Sequence, residues 1–78
     1  MITSEQIRSA RAALDWSIEE LASATAISSR TIMRMEATTG VPSSTKANLK
    51  AIRTVLEAAG IEFIGTPDDR PGIRINTK

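Results

Sequence analysis

The sequence predicts a mainly α protein, a small helical bundle followed by a C-terminal two-stranded β-ribbon. Three observations predict it. Polar capping residues precede four stretches of helical periodicity. Only three or four residues separate the second helix from the third, which forces a steep crossing. After Gly60 the apolar residues switch to strand-like alternation around a cluster of turn residues. With 78 residues the chain holds a single domain, of a size that buries about 60% of its unfolded surface.

The first helix opens at Thr3-Ser4-Glu5-Gln6, a capping box with Thr3 as N-cap and Gln6 reaching back. Ile2 and Ile7 take the staple positions. Ile7, Ala10 and Leu14 follow at helical spacing, and Asp15 and Trp16 end the helix. Ser17-Ile18-Glu19-Glu20 is a second capping box, stapled by Trp16 and Leu21, for a short helix from about Ile18 to Ala24. Ser28 caps a third helix that runs to about Ala37, with an Ile27–Ile32 staple. Leu21, Ala22, Thr25, Ile27, Ile32 and Met35 fall where these two short helices touch, in a helix-turn-helix unit.

Thr38 to Ser44 reads as a loop containing Gly40 and Pro42. Ser43 or Ser44 caps a long fourth helix that stops at Gly60. Its apolar side, Ala47, Leu49, Ala51, Ile52, Val55, Leu56, Ala58 and Ala59, covers roughly 200°, against the ~100° that one core requires. Leu21, Ile32, Leu49, Ile52 and Leu56 are the expected main core. Ile61–Ile64 and Gly72–Ile75 read as two strands, with Gly65–Pro71 between them as turn. The expected organisation is residues 1–60 as a helical part and 61–78 as a ribbon extension, within one compact domain.

Composition narrows the function. Cysteine and histidine are absent, so the sequence offers no disulfide, no thiolate metal site and no Ser-His or Cys-His nucleophile. No catalytic residue, metal ligand or cofactor is expected, and an enzyme is disfavoured. Asp68, Asp69 and Glu62 lack metal-ligand spacing, and Asp68-Asp69-Arg70 reads as a turn. No apolar run is long enough for a membrane span and no secretory signal is visible, so a cytoplasmic protein is expected.

Net charge is +1, but it is unevenly placed. Residues 27–53 hold Arg30, Arg34, Lys46, Lys50 and Arg53 against Glu36 alone, a net +4. The residues before them carry −2 and those after them −1. A basic middle between acidic flanks suits a polyanion, although so few charges also cluster by chance. Ser28, Ser29, Arg30, Met33 and Arg34 are left facing outward on the third helix. Arg pairs bidentately with guanine, Ser bonds base or phosphate, and Met33 can meet a thymine methyl. Taken singly, each of these residues reads as part of an ordinary solvated helix face. As a set, after a capped short helix and a tight turn, they favour reading double-stranded DNA. Trp16 reads as core.

The run Ser17, Ile18-Glu19-Glu20-Leu21-Ala22, Ala26-Ile27-Ser28, Thr31-Ile32-Met33-Arg34-Met35-Glu36 resembles the Cro/repressor-type, or Xre-type, helix-turn-helix family of bacterial transcription regulators. The likeness continues through Gly40, Pro42-Ser43 and Ala51-Ile52-Arg53. The ending Leu56–Ile64, then Pro71–Ile75, looks like a compact proteobacterial branch of that family. The resemblance implies a lambda-repressor-like DNA-binding fold. It also implies that Ser17, Thr39, Ser43, Ser44 and Lys46 lie near the DNA backbone. Two positions depart from the family pattern. Ile18 stands where a Gln often contacts the backbone, and Ala26 stands in place of the turn Gly. If the turn needs positive φ, the Ala26 methyl costs of the order of 1 kcal/mol. Glu19 and Glu20 read as capping and dipole residues, and Glu36 as an acceptor for the Thr38–Gly40 loop.

The surplus apolar face and the open ribbon edges predict a homodimer through Ala51, Val55, Ala58, Ile61, Phe63, Ile73 and Ile75. The alternative within one chain is that the ribbon folds over Val55. The alternative function is a protein-interaction module, antitoxin-like, whose ribbon and fourth helix hold a partner protein.

Overall fold

A computed structural model describes residues 1–76. The chain runs α1 (Ser4–Ala13), α2 (Ile18–Thr25), α3 (Ser29–Glu36), α4 (Lys46–Ala58), β1 (Ile61–Thr66) and β2 (Asp69–Ile75). About half of it is helical, and the two strands form one antiparallel sheet. No helix among the described residues is long and apolar enough to cross a membrane.

The first three helix starts follow local chemistry. Thr3 Oγ1 accepts the Gln6 N–H at 3.1 Å, and Gln6 Oε1 accepts the Thr3 N–H at 2.8 Å. Ser17 and Glu20 repeat the exchange at 3.1 and 2.9 Å. Ser28 Oγ accepts the Thr31 N–H at 3.2 Å. The fourth start differs from expectation. Thr45, not Ser43 or Ser44, is the N-cap of α4 and accepts the Asn48 N–H at 3.1 Å. Three adjacent hydroxyl residues are locally equivalent caps. Burial of Pro42 on one side and Leu49 on the other leaves Thr45 at the point where the chain enters the helix. α1 ends in a Schellman turn: Asp15 sits at φ 57°, its N–H reaches Ala12 O, and the Trp16 N–H reaches Arg11 O.

Ile2, Ile7, Ala10, Leu21, Ile32, Met35, Leu49, Ile52, Leu56 and Ile61 are the buried core. All five residues expected to dominate it are there. Leu14, Trp16, Ile18, Ala22, Ile27, Val55, Phe63 and Ile73 pack around them, half-buried. The fourth helix therefore spends Val55 within the chain. Its surplus apolar surface shrinks to exposed Ala47 and Ala58 and half-buried Ala51 and Ala59.

The ribbon lies on both α1 and α4, not on α4 alone. Ile61 pairs with Ile75 and Phe63 with Ile73, which puts all four on one face. Ile61 is only 2% exposed and belongs to the core, so it is removed from the surface where a dimer contact was expected. Ile75, at the ribbon end, stays 55% exposed. The opposite face carries the Glu62–Arg74 ion pair at 3.3 Å. Both strands are longer than their alternation indicated, and the turn narrows to Pro67 and Asp68. Gly65 makes this possible. It sits at φ 74° beside a break in register, where a Cβ would lie 2.3 Å from Arg70 O. Gln6 Nε2 pins the ribbon to α1 by donating to Ile64 O at 3.1 Å and Gly72 O at 2.9 Å.

Candidate nucleic-acid interface

α3 is positioned from both ends. At its start, Thr25 Oγ1 donates to Leu21 O at 2.8 Å and accepts the Ile27 N–H at 3.3 Å, closing the link from α2. Ala26 occupies the left-handed region at φ 60°, ψ 24°, so the turn does require positive φ of a residue with a methyl group. Ser28 then caps α3. Its hydroxyl accepts the Thr31 N–H and donates to Thr31 Oγ1 at 2.9 Å, so both hydrogen-bonding functions serve the cap.

At the far end, α1 grips the carbonyls that the helix leaves unpaired. Ser4 Oγ donates to Met35 O at 2.6 Å, and Arg8 Nη1 donates to the carbonyls of Glu36 and Thr38. Glu36 is buried, and its carboxylate receives a two-pronged bond from Arg11 at 2.8 and 2.9 Å. Arg11 Nη1 also donates to Trp16 O at 3.0 Å. The expected role of Glu36 as an acceptor for the following loop is therefore corrected. The loop is held by α1, where Glu5 accepts the Gly40 N–H at 3.1 Å and the Ser4 N–H reaches Gly40 O at 2.8 Å. Arg11 lies 25 positions from Glu36. Only the shared requirement of a buried carboxylate for a cation links the two in sequence.

Between these anchors α3 buries Ile32 and Met35 and turns Arg30, Met33 and Arg34 outward. Met33 is 55% exposed, one of four exposed large apolar side chains among the described residues, with Met1, Val41 and Ile75. Ser28 is exposed and Ser29 half-buried. Among the described residues, Arg30, Arg34, Lys46 and Lys50 form no ion pair, whereas Arg11, Arg53, Arg70 and Arg74 each hold a carboxylate. Arg8 of α1 also has no ion pair among the described residues, but it is engaged with the carbonyls of Glu36 and Thr38, which leaves the unengaged cations on α3 and the first two turns of α4.

The residues expected near phosphate divide. Ser17, Thr39, Ser43 and Lys46 are exposed. Ser44 is half-buried, and its Oγ accepts from Asn48 Nδ2 at 3.4 Å. The helices α2, α3 and α4 each begin at an exposed hydroxyl cap, Ser17, Ser28 and Thr45. Thr45 was missing from the expected set because the helix start was placed one or two residues early. Such helix starts favour anions. Among the described residues no group of three or more acidic side chains lies close enough to hold a metal ion. No protein-family model matches the chain, and no curated protein matches it either.

Proposed function

We propose that this chain is a sequence-specific double-stranded-DNA-binding transcriptional regulator of the lambda-repressor-like helix-turn-helix kind, with α3 entering the major groove. The observation that carries the reading is the outward face of α3, where Arg30, Met33 and Arg34 are exposed and the two arginines lack carboxylate partners. A salt-free arginine keeps its planar donor fork for guanine, and a neighbouring apolar side chain suits a thymine methyl. Ser17, Thr39, Ser43, Ser44 and Lys46 supply phosphate contacts around it. Ser28 contributes through the cap, which fixes the start of α3.

The acting unit in this reading is a homodimer. A single domain offers few phosphate contacts and binds weakly. Two copies place two α3 helices about 34 Å apart, one DNA turn, and read a palindrome. The surfaces left for pairing are the open ribbon edges, Ile75 and the Ala51–Ala58 side of α4. Phe63, Ile73 and Val55 support that surface from within the chain.

The test is a selection from random duplexes followed by anisotropy titration. Arg30→Ala should lose ~1–3 kcal/mol of specific affinity with unchanged helix content. Unchanged affinity removes Arg30 from the interface. One observation favours a second reading: both ribbon edges have unpaired backbone groups that another protein's strand can extend. Binding to random duplex at low salt that falls steeply as salt rises supports DNA. No duplex binding at either salt supports the protein-interaction module.

A further inference from the structure

An open groove of about 390 Å³ runs between the N-terminal residues and α4, and no α3 residue lines it. Met1, Ile2 and Leu49 give it an apolar lining. Lys46, Lys50 and Arg53 also line it, at i, i+4 and i+7 on one side of the helix. Among the described residues no carboxylate lines it. Lys46 and Lys50 have no ion-pair partner among the described residues. Arg53 is already held in place: its Nε donates to Glu57 at 3.1 Å and its guanidinium lies 5.7 Å from the centre of the Phe63 ring.

We propose that this groove binds a small amphiphile with an anionic head and an apolar tail, of the aliphatic carboxylate class. The tail would lie against Ile2, Leu49 and the 61%-exposed Met1 side chain. Methionine suits that role because its unbranched thioether adapts to the shape it meets. The head would sit among Lys50 and Lys46, which hold no carboxylate among the described residues, and Arg53, which Glu57 already engages. Size favours a small molecule over a protein segment. The volume lies at the lower end of the roughly 300–1,000 Å³ of small-molecule sites. A stable protein partner needs about 800 Å² from each side, more than six lining residues provide. The groove shares Lys46 with the phosphate contacts of the DNA reading, while Ile2, Leu49, Lys50 and Arg53 belong to the groove alone.

The experiment is amide-shift mapping of the full chain titrated with hexanoate, octanoate and decanoate below their micellar concentrations. Shifts should saturate, centre on Ile2, Leu49, Lys50 and Arg53, and tighten up to about fourfold per added methylene. Decanol should bind several-fold more weakly than decanoate, and the gap should narrow as salt rises. Lys50→Glu should weaken decanoate about fivefold or more, Lys50→Gln less, and the charge-matched Arg70→Glu on the ribbon should leave it unchanged. Equal binding of decanol and decanoate, shifts that never saturate, or shifts centred on the ribbon would overturn the proposal. So would a groove that ignores decanoate and takes an acidic amphipathic peptide, which would assign it to a protein partner.

Discussion

Ala26 carries a backbone conformation that glycine adopts without cost. At φ 60° its methyl group crowds the following carbonyl, and nothing else in the turn compels an alanine there. Ala26→Gly should therefore stabilise the domain by about 0.5–1 kcal/mol, the strain relieved less the extra freedom glycine gains when unfolded. Urea unfolding measures it, and a loss of stability would mean that the methyl packs usefully. Arg11 has a larger effect. The Glu36 side chain it holds is only 6% exposed, while Arg11 itself is 24% exposed. Arg11→Met should cost about 2–3 kcal/mol, below the 3–5 of a fully buried pair, because water reaches the guanidinium. Adding Glu36→Leu should recover part of that loss, since no carboxylate is then stranded. The two cases differ in legibility. Positive φ at Ala26 enters the sequence reading only as a condition, through the glycine that the resembled family has at this turn. The partner of Glu36 does not enter it, because Arg11 lies on another helix and no local rule joins them.

At the scale of elements, legibility follows the range of the forces. Helix starts at Thr3, Ser17 and Ser28 were readable because a cap bonds three residues ahead. The start of α4 was misplaced because Ser43, Ser44 and Thr45 compete and tertiary packing chooses among them. The strands were found by alternation, but their lengths depend on Gly65, whose register break alternation does not show. The outward residues of the candidate site followed from helical periodicity, whereas the α1 contacts that hold α3 did not. One of those contacts has a pH signature. Glu5 has its pKa lowered below the ordinary 4.5, first by the hydrogen bond from its own backbone N–H and then by that from Gly40. A carboxyl with a lowered folded value contributes stability above its unfolded value and loses it as pH falls through the folded one. Acid should therefore loosen the junction between α1 and the α3–α4 loop. Glu5→Gln should flatten the decline in unfolding midpoint on the acid side of 4.5 and leave neutral-pH folding nearly unchanged. An identical acid profile in that variant would assign the decline to other carboxylates.

For the whole molecule, the ribbon is part of the core and not an appendage to it. Ile61 is 2% exposed, Phe63 and Ile73 pack beside it, and Gln6 binds both strands. Full burial of one isoleucine contributes about 1.5–3 kcal/mol. A domain of this length has about 4–12 kcal/mol in total. A chain ending at Gly60 should thus lose cooperative thermal unfolding, well beyond any loss of dimer. A melt resembling that of the full chain would show that the helices stand alone.

The bonds from Gln6 to carbonyls 58 and 66 positions ahead also set a schedule for synthesis. At roughly 5–20 residues per second, about 3–13 s separate the making of Gln6 from the making of Gly72. Until then the nascent chain matches the truncated one, with its apolar floor open on the side that β1 and β2 will cover. The chain is first present as a partly folded species, and any ligand meets the completed domain only after synthesis has passed the ribbon.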